Sequence, residues 1–531
     1  MHLFLVGPPG IGKSSVAPAL ARHFGAAVIE LDREIERRAG KSCKDVIEQD
    51  GMERFRELES NALLKLAATP SWVVVDTGGG APIREDNRAF MRRLGLIVGL
   101  RGSLDRVTAG IAATMAKRPN QDVTPRDRAR AALRERKGAY ADTDVAFDVD
   151  GATVDETARA IAAWLVSARG VRIDVAGPER ASPCRVLIRA GLLEHVGPHL
   201  ADLGWRGRVA IVSDARTAER YEPDLVRSLA AAGLDAVTLR VPAGERGKQL
   251  RIAAQLWSSL ASARVGRDGG IVALGGGSIG DVAGFVAATY LRGIRLAQVP
   301  TTLLGMADAS IGGKTAIDIA AGKNLVGAFH SPDAVFADLA VLVTLPPRQL
   351  SSGLAEVTKC AFLADRESVA QLARSLENVR AGDLGAILAA VTIAAEVKAG
   401  IVSQDPREAG LRELLNFGHT MGHAYEAASA YRVTHGEAVA IGMVYATALA
   451  EQLELTAATV RPQLEDLLDR AALPTRARLP KGVWSFVLQD KKARAGKLRW
   501  ILPRRIGQFS EVTDVGEPAL RAAARIVERA A

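Results

Sequence analysis

Hydrophobic and polar positions along this chain follow one repeating arrangement. Short runs rich in Val, Ile and Leu are each followed by a longer stretch in which Ala, Leu and Arg recur at helical spacing. Such short runs predict buried strands, and strands that alternate with helices predict parallel sheets. Both halves of the chain are therefore predicted to be α/β. The predicted strands cover residues 3–6, 27–31, 72–76 and 96–100 in the first half and 185–191, 208–214, 236–241 and 271–274 in the second.

The pattern changes twice, and each change marks a predicted boundary. A helical stretch over 153–170 closes the first half, and Gly170 and Gly177 flank a lone strand-like run. From Pro346 onward the β-branched runs give way to long helical patterns. A chain of 531 residues is also too long for one hydrophobic core. The predicted divisions are residues 1–168, a linker at 169–176, an α/β part at 177–345 and a mainly helical part at 346–531.

Composition and charge narrow the class of protein. Apolar residues make up 48% of the chain, and no apolar run reaches the ~18 to 20 residues of a membrane span. The first ten residues lack the basic segment of a signal peptide, so we expect a cytoplasmic protein with no membrane partner. Basic residues are spread along the chain without a nucleic-acid-binding signature, so we expect no nucleic-acid partner; small anionic substrates account for the net charge of +9 equally well. Three separated cysteines predict reduced thiols rather than disulfides or a cysteine-rich zinc site.

A glycine-rich loop directly follows the first predicted strand. The segment from Gly7 to Ser14 matches G-x-x-x-x-G-K-[ST], in which backbone N–H groups and a helix N-terminus surround phosphates. In this motif Lys13 would reach the outer phosphates and Ser14 would hold Mg²⁺. Because strand, loop and helix occur in the required order, the sequence predicts an ATP site. The predicted ATP-binding residues are Gly10, Ile11, Gly12, Lys13, Ser14 and Ser15.

Residues beyond this loop indicate the phosphoryl acceptor. Across residues 1–168 the chain resembles shikimate kinase, through E-L-D at 30–32, F-R-E-L-E at 55–59 and D-T-G-G-G at 76–80. The resemblance implies that Asp32 binds shikimate hydroxyls and orients the attacking one. It also implies arginines on the shikimate carboxylate and the ATP phosphates, roles that suit a bidentate cation. The implied residues are Asp32, Arg56, Gly78, Gly79 and Arg136 for shikimate, and Arg118 on a mobile lid for ATP.

Two positions depart from the pattern of that family. The family usually has Asp-x-Asp where this chain has Glu30 and Asp32, and it usually lacks an acid at the position of Asp76. An acid at the end of this strand is where a Walker-B aspartate would lie, so the roles of Asp76 and Glu30 toward Mg²⁺ stay open at this point. Two other interpretations of the first half are a different small-molecule kinase, such as gluconate kinase, and a P-loop module that only regulates the second half. The first lacks the pairing of Arg56 with the glycine run, and the second needs no acceptor-site arginines.

A second glycine-rich turn follows the predicted strand at 271–274. By itself the segment from Gly275 to Asp281 is weak evidence for dinucleotide binding. Together with six further motifs it resembles 3-dehydroquinate synthase from about residue 177 to the end. The resemblance implies a lyase that uses NAD catalytically and converts 3-deoxy-D-arabino-heptulosonate 7-phosphate to 3-dehydroquinate and phosphate. The motifs are P-A-G-E-R-G-K at 242–248, Y-L-R-G at 290–293, Q-V-P-T-T at 298–302, G-K-N at 322–324, G-L-A-E-V-T-K at 353–359 and N-F-G-H-T-M-G-H at 416–423.

The resemblance also implies metal and cofactor residues. Glu356, His419 and His435 would hold Zn²⁺, with Co²⁺ as the alternative, because catalytic zinc prefers imidazole and carboxylate donors. Spacing alone would instead pair His419 with His423, but Thr420 stands where H-E-x-x-H needs glutamate, and the resemblance makes His423 a substrate contact. The implied NAD-binding residues are Ala243, Gly244, Glu245, Arg246, Gly247, Lys248, Gly277, Ser278, Ile279, Gly280, Asp281, Thr301, Thr302, Lys314, Lys323, Val341, Leu342, Val343 and Thr344.

A cationic cluster completes the implied second site. The substrate carries one phosphate and one carboxylate, and each needs lysine or arginine partners once water is excluded. A metal-dependent polyol dehydrogenase is the rival interpretation, but it typically has aspartate where Glu356 stands and does not need these cations. The implied residues are Asp308, Lys314, Lys359, Lys398, Arg412, Asn416 and His423 for catalysis, and Arg292, Asn324 and Lys491 or Lys492 for substrate binding.

Both resemblances together imply the architecture of the whole chain. A P-loop kinase domain, with a parallel sheet and helices on both faces, precedes a Rossmann-like NAD-binding α/β domain. A mainly helical domain that binds metal and substrate follows. The implied cofactors are NAD, Zn²⁺ and Mg²⁺ with ATP, and we expect a homodimer formed through the synthase half.

Overall fold

Parallel strands form the centre of both halves of the protein, as the alternation of apolar runs and helical stretches predicts. The computed structural model describes residues 2–69, 72–115, 122–177, 182–487 and 498–528. The chain divides into one unit of Met1–Leu165 with Ala370–Ser375 and a second unit of Val166–Val369 with Leu376–Ala531. The α/β class predicted for both halves is confirmed.

Five parallel strands form the sheet of the first unit. They are β1 (His2–Val6), β2 (Ala27–Glu30), β3 (Val73–Asp76), β4 (Gly95–Arg101) and β5 (Val145–Asp148). Their order across the sheet is β2-β3-β1-β4-β5. Strand β5 is absent from the predicted set, because its apolar run, Val145 to Phe147, is short and ends at Asp148. The helices are α1 (Lys13–Phe24), α2 (Leu31–Ala39), α3 (Cys43–Asp50), α4 (Met52–Leu64), α5 (Glu85–Leu94), α6 (Leu104–Ala112), α7 (Pro125–Glu135), α8 (Lys137–Ala141) and α9 (Val154–Trp164).

The central position of β1 determines where the first site can form. All five residues of β1 are buried, and β3 and β4 pair with it on either side. Because these strands are parallel, the segments that follow β1, β2 and β3 leave the sheet at the same edge. That edge therefore gathers the glycine-rich loop, the segment at 30–32 and the segment at 76–80.

Seven strands form the main sheet of the second unit, in the order β6-β7-β14-β11-β10-β8-β9. Strand β6 is antiparallel to β7, and the other pairs are parallel. Residues 169–176, predicted as a linker, contain β6, so part of this segment belongs to the sheet. The strands are β6 (Val171–Val175), β7 (Cys184–Arg189), β8 (Arg208–Ser213), β9 (Asp235–Arg240), β10 (Gly270–Gly275), β11 (Arg295–Pro300), β12 (Lys314–Ile319), β13 (Gly322–Phe329) and β14 (Ala334–Asp338), where β12 and β13 form a separate hairpin. The helices of this part are α10 (Val196–Asp202), α11 (Ala215–Ala231), α12 (Leu250–Ser262) and α13 (Gly277–Thr289).

Helices dominate the remaining part, as predicted from Pro346 onward. One of them, Leu384–Gln404, is long and apolar enough to cross a membrane, but 78% of its most apolar window is buried inside the protein. Burial of this extent is typical of the central helix of a packed domain. The helices are α14 (Pro347–Ala364), α15 (Arg366–Arg380), α16 (Leu384–Gln404), α17 (His419–Ala428), α18 (His435–Gln452), α19 (Val460–Arg470) and α20 (Glu517–Val527), and β15 (Arg499–Arg505) pairs with β16 (Gln508–Thr513).

Candidate active sites

The glycine-rich loop after β1 borders a cavity of about 480 Å³. Gly10 has a φ of +82°, and a Cβ there would lie 2.6 Å from the backbone of Gly110, so a side chain does not fit. Helix α1 begins at Lys13, whose buried ammonium donates to the carbonyl of Gly7 at 2.9 Å. A cation and a helix N-terminus thus face one cradle, an arrangement that suits a polyphosphate. The predicted residues that line the cavity are Gly10, Gly12, Lys13, Ser14 and Ser15, while the predicted Arg118 lies outside the described residues.

Residues from three elements meet at the glycine turn after β3. A Cβ on Gly78 would lie 2.6 Å from Oδ1 of Asp32, so the carboxylate of Asp32 lies against this glycine. The carbonyl of Gly79 accepts hydrogen bonds from Nη1 of Arg136 at 3.0 Å and from the hydroxyl of Tyr140 at 2.7 Å. The structure therefore brings Asp32, Gly78, Gly79 and Arg136 together beside the glycine-rich loop.

Arg56 reaches the same turn together with a partner that is absent from the predicted set. Its guanidinium would overlap a Cβ placed on Gly80. On α4 it contacts Glu59, and the two side chains are 13% and 1% exposed. Burial raises the pKa of Glu59 to about 7, and the charge of Arg56 opposes that rise only in part. The three-residue spacing in F-R-E-L-E is the signal that points to Glu59.

A second cavity, of about 650 Å³, lies within the second unit. Helices α14, α16, α17 and α18 and the hairpin β12–β13 all contribute side chains to it. Most of the predicted substrate and catalytic residues line it, although they are spread over more than 120 positions of the chain. They are Asp308, Lys314, Asn324, Lys359, Lys398, Arg412, Asn416, His419, His423 and His435.

Two lysines of this cavity, Lys359 and Lys398, lie beside the carboxylate of Asp308. Nζ of Lys398 lies 2.7 Å from Asp308, and Nζ of Lys359 lies 3.8 Å from it. Burial alone would raise the pKa of Asp308, but the two ammonium groups outweigh it and bring this pKa to about 2. Burial alone would lower the pKa of Lys359, but Glu356 and Asp308 outweigh it and raise this pKa above its usual value. The cavity therefore presents fixed positive charges away from bulk water.

One further carboxylate of the cavity is absent from the predicted set. Glu408 lies 2.5 Å from Nζ of Lys314 and accepts a hydrogen bond from Asn416 at 3.1 Å. Burial nevertheless lowers the pKa of Lys314. No short spacing in the sequence links Glu408 to Lys314, so only the fold reveals this pair.

Glu356, His419 and His435 form a compact group of possible metal ligands. Their ligand atoms all lie within 4.8 Å of one another, and no other such group occurs in the part of the chain that the structure describes. Oε1 of Glu356 lies 3.3 Å from Nε2 of His435 and 3.5 Å from Nε2 of His419. Glu356 is fully buried on α14, while the two histidines are the first residues of α18 and α17. Two imidazoles and one buried carboxylate at this separation fit a zinc ion.

Glu426 supports this group and is absent from the predicted set. Its Oε2 lies 3.4 Å from Nδ1 of His435, so one nitrogen of that ring faces a carboxylate and the other faces Glu356. Such a contact fixes the orientation of a metal-binding imidazole. Glu426 follows His423 by three residues on α17, so helical spacing from H-T-M-G-H could have identified it. The ring of His423 lies 5.1 Å from that of His419, and burial lowers the pKa of His423 to about 4.

A third cavity, of about 310 Å³, lies at the start of α13. Gly276 precedes this helix, so backbone N–H groups at the helix N-terminus face the cavity. Asp214, Arg216 and Tyr221 also line it and are absent from the predicted set; the position of Asp214 at the end of a predicted strand is a signal for it. The predicted cofactor residues that line it are Ala243, Gly244, Ser278, Ile279, Thr301, Thr302 and Thr344.

Other predicted cofactor residues form a charged network, partly buried and partly exposed, that reaches from the 3₁₀-helix Gly244–Lys248 to Glu426 beside the metal group. Nζ of Lys248 donates to Asp281 at 2.7 Å and also contacts Asn324. Nζ of Lys323 lies 3.5 Å from Glu245 and 3.8 Å from Glu426. Glu245 to Lys248 belong to a 3₁₀-helix at Gly244–Lys248, and the predicted residues Val341, Leu342, Val343 and Thr344 end another at Leu339–Thr344.

Three predicted substrate residues are not brought to the second site by the described part of the chain. Arg292 is exposed after α13 with a φ of +63° and does not line the cavity of its own chain. Lys491 and Lys492 lie outside the described residues. The structure thus collects the metal group and most of the cations but leaves these three positions as predictions.

Comparison with known proteins agrees with this division into two sites. Family models match residues 9–166 (shikimate kinase), 238–352 (3-dehydroquinate synthase N-terminal) and 353–493 (3-dehydroquinate synthase C-terminal). The 3-dehydroquinate synthase of Symbiobacterium thermophilum is 44% identical over 344 residues, which cover 63% of this chain and 95% of that protein. The 3-dehydroquinate synthase of Gloeobacter violaceus is 42% identical over 355 residues, which cover 66% and 98%.

A solved structure extends the likeness to the fold of the second unit. It is 2-epi-5-epi-valiolone synthase from Streptomyces hygroscopicus subsp. jinggangensis 5008, with NAD⁺ and Zn²⁺ bound. The identity is 28% and the TM-score 0.60 over 67% of this chain and 99% of that chain. That protein holds both cofactors on a fold that this chain shares.

Proposed function

Because the chain belongs to the 3-dehydroquinate synthase family and carries a shikimate kinase domain ahead of it, we propose that each half performs the reaction of its family. The chain is a bifunctional enzyme of the shikimate pathway. Residues 1–168 transfer phosphate from ATP to shikimate. Residues 177–531 convert 3-deoxy-D-arabino-heptulosonate 7-phosphate to 3-dehydroquinate and phosphate. The observation that carries the proposal is a phosphate cradle beside an arginine-lined turn in one unit and a ligand group inside a cationic cavity in the other.

The first site supplies groups for both substrates of the kinase. Lys13 stabilises charge on the outer phosphates of ATP, and Ser14 binds the Mg²⁺ that accompanies them. Asp32 accepts a hydrogen bond from the attacking shikimate hydroxyl and orients it. Arg56 and Arg136 hold the shikimate carboxylate, since a guanidinium binds a carboxylate with two parallel hydrogen bonds. Arg118 binds the ATP phosphates.

Two bound groups are needed in the second site. Zn²⁺, held by Glu356, His419 and His435, would supply a Lewis acid for a substrate hydroxyl. NAD, held along α13 and the 3₁₀-helix Gly244–Lys248, would accept a hydride and return it within one turnover. The donor set and the glycine-rich helix N-terminus fit these two groups.

The remaining residues of the second site bind and orient the substrate. Lys359, Lys398 and Arg412 lie buried in the cavity, and they match a substrate with one phosphate and one carboxylate. Asp308 contacts both Lys359 and Lys398 and so holds the two ammonium groups in place. His423 lies beside the metal group without joining it, at a place where it can contact substrate hydroxyls.

We also propose that the enzyme is a cytoplasmic homodimer formed through the synthase half. Leu325 and Phe329 on the hairpin β12–β13 are 61% and 48% exposed, and large exposed apolar side chains suit a subunit interface. Light scattering after size-exclusion chromatography measures this state directly.

Separate assays of the two halves test the proposed division of function. Residues 1–168 should phosphorylate shikimate with ATP and Mg²⁺. Residues 170–531, which include all of β6, should form 3-dehydroquinate with Zn²⁺ and substoichiometric NAD⁺, because each fragment then keeps its own sheet and site. Stoichiometric reduction of NAD⁺ would instead indicate a polyol dehydrogenase. A folded second fragment that stays inactive with both cofactors would contradict independent sites.

The pH dependence of the kinase should report on Glu59. Since the pKa of Glu59 is raised to about 7, this carboxyl is neutral below that pH and ionised above it. Once ionised, it competes with the shikimate carboxylate for Arg56, so the KM for shikimate should rise several-fold between about pH 6 and about pH 8. The variant Glu59→Gln should lose this rise while its KM for ATP keeps the wild-type profile.

Glu57→Gln is the matched control for that experiment. Glu57 lies on the same helix but is exposed and pairs with Arg54 at 2.8 Å. Its removal should leave the wild-type pH profile intact. An unchanged profile in Glu59→Gln would show that another group controls shikimate binding in this range.

A further inference from the structure

Asp76 occupies the place from which a carboxylate can act on the P-loop hydroxyl. It is the last residue of β3, and β3 pairs with β1, the strand that leads into the glycine-rich loop. In this register Asp76 stands opposite Leu5, two residues before Gly7. The hydroxyl of Ser14 donates to Oδ2 of Asp76 at 2.5 Å. Asp76 is 6% exposed, so its charge lies largely away from water and next to the cavity that Ser14 lines.

Glu30 is placed less well for the same task. It ends β2, which pairs with β3 and not with β1, and it stands opposite Asp76 in the register. Neighbouring strands lie about 4.8 Å apart, so Glu30 starts one strand farther from the loop than Asp76 does. Its carboxylate also pairs with Arg33 at 2.9 Å. Glu30 is thus turned toward a surface arginine.

We propose that Asp76, and not Glu30, is the carboxylate that positions Ser14 and the divalent cation in the kinase site. Ser14 is the hydroxyl ligand of the cation in a P-loop, and an acid at the end of a neighbouring strand takes hydrogen bonds from that hydroxyl and from water on the ion. Asp76 is a positioning residue, since it reaches the nucleotide only through Ser14 and the ion. The inference rests on the proposed kinase function.

Asp76 could also have a purely structural role in the glycine turn, and two substitutions distinguish that role from a role toward the cation. Oδ1 of Asp76 accepts a hydrogen bond from the backbone N–H of Gly78 at 3.0 Å and so helps to shape the glycine turn. The variant Asp76→Asn keeps this acceptor oxygen but loses the charge, whereas Asp76→Glu keeps the charge on a longer side chain. A structural role depends on the oxygen that accepts the hydrogen bond from Gly78. A role toward the cation depends on the negative charge of the carboxylate.

The test measures Mn²⁺ binding to the full chain in the presence of adenosine 5′-(β,γ-imido)triphosphate, by electron paramagnetic resonance. Removal of a group that supports a metal ligand costs about 10- to 100-fold in metal affinity, so Asp76→Asn should raise the dissociation constant of Mn²⁺ by about 10-fold or more. Asp76→Glu should recover part of this loss. Glu30→Gln is the matched control, and its dissociation constant for Mn²⁺ should stay within about twofold of the wild-type value, because Glu30 does not support a metal ligand. The KM for shikimate should be unchanged in Asp76→Asn, because Asp76 acts on the cation and not on the bound shikimate.

Three results would overturn the proposal. One is wild-type Mn²⁺ affinity in Asp76→Asn, and another is a loss in Glu30→Gln equal to that in Asp76→Asn. The third is an equal loss in Asp76→Glu and Asp76→Asn, which would indicate that the turn geometry matters and not the charge. Dehydroquinate formation by the same samples reports whether each variant is intact elsewhere. If the wild-type enzyme binds Mn²⁺ and nucleotide but does not phosphorylate shikimate, the proposed kinase substrate is refuted, while the loss of Mn²⁺ affinity in Asp76→Asn still supports the inference on Asp76.

Discussion

Lys13→Ala should remove shikimate phosphorylation almost completely and leave dehydroquinate formation nearly intact. The ammonium of Lys13 is buried at the start of α1 and faces the loop carbonyls where the outer phosphates of ATP would lie. Its loss removes a preorganised charge at the point where negative charge develops, an effect of about 10²- to 10³-fold in kcat. The two activities, measured on one sample, give the result directly.

An exposed lysine of the same unit provides the control for this experiment. Lys65 directly follows α4 and lies outside the cavity, so Lys65→Ala should preserve both activities. Equal loss of both activities in Lys13→Ala would argue against two independent sites. Retention of the kinase activity in that variant would argue against the P-loop as the phosphate site.

After the metal is removed from the enzyme, the two activities should be restored by different ions. After chelation, Mg²⁺ alone should revive the kinase, because a P-loop hydroxyl and phosphate oxygens are hard ligands. Zn²⁺ should be required for the synthase, because Glu356, His419 and His435 offer imidazole and carboxylate donors. Recovery of the synthase with Mg²⁺ alone would overturn the metal assignment.

His435→Ala should abolish the rescue by zinc. Mutation of a residue that only hydrogen-bonds to a metal ligand already lowers metal affinity by about 10- to 100-fold. Loss of a ligand itself should therefore lower zinc retention and synthase activity by at least about 100-fold. Zinc content after dialysis, measured by mass spectrometry, reports on binding independently of turnover. The control is His195→Ala, since His195 is an exposed histidine of the same unit and lies outside the ligand group. Stoichiometric zinc in His435→Ala would exclude this histidine as a ligand.

The sequence by itself determined the features that depend on local spacing. The P-loop could be read because strand, glycine turn, lysine and helix start occupy consecutive positions. The alternation of apolar runs with helical stretches gave the α/β class for the same reason, since burial imposes a fixed period on each element. Helical spacing would also have identified Glu59 beside Arg56 and Glu426 beside His423, because residues three apart share a helix face.

Only the tertiary structure decided which distant residues meet. Glu408 pairs with Lys314 across 94 positions of chain, and Lys398 pairs with Asp308 across 90. No local pattern specifies such pairs, because they depend on how segments that are distant in the chain pack together. The same holds for Asp76, which contacts Ser14 only because β3 lies next to β1 in the sheet. An order in which β2 neighboured β1 would have brought Glu30 there instead, and that choice follows from the packing of the whole domain and not from any motif.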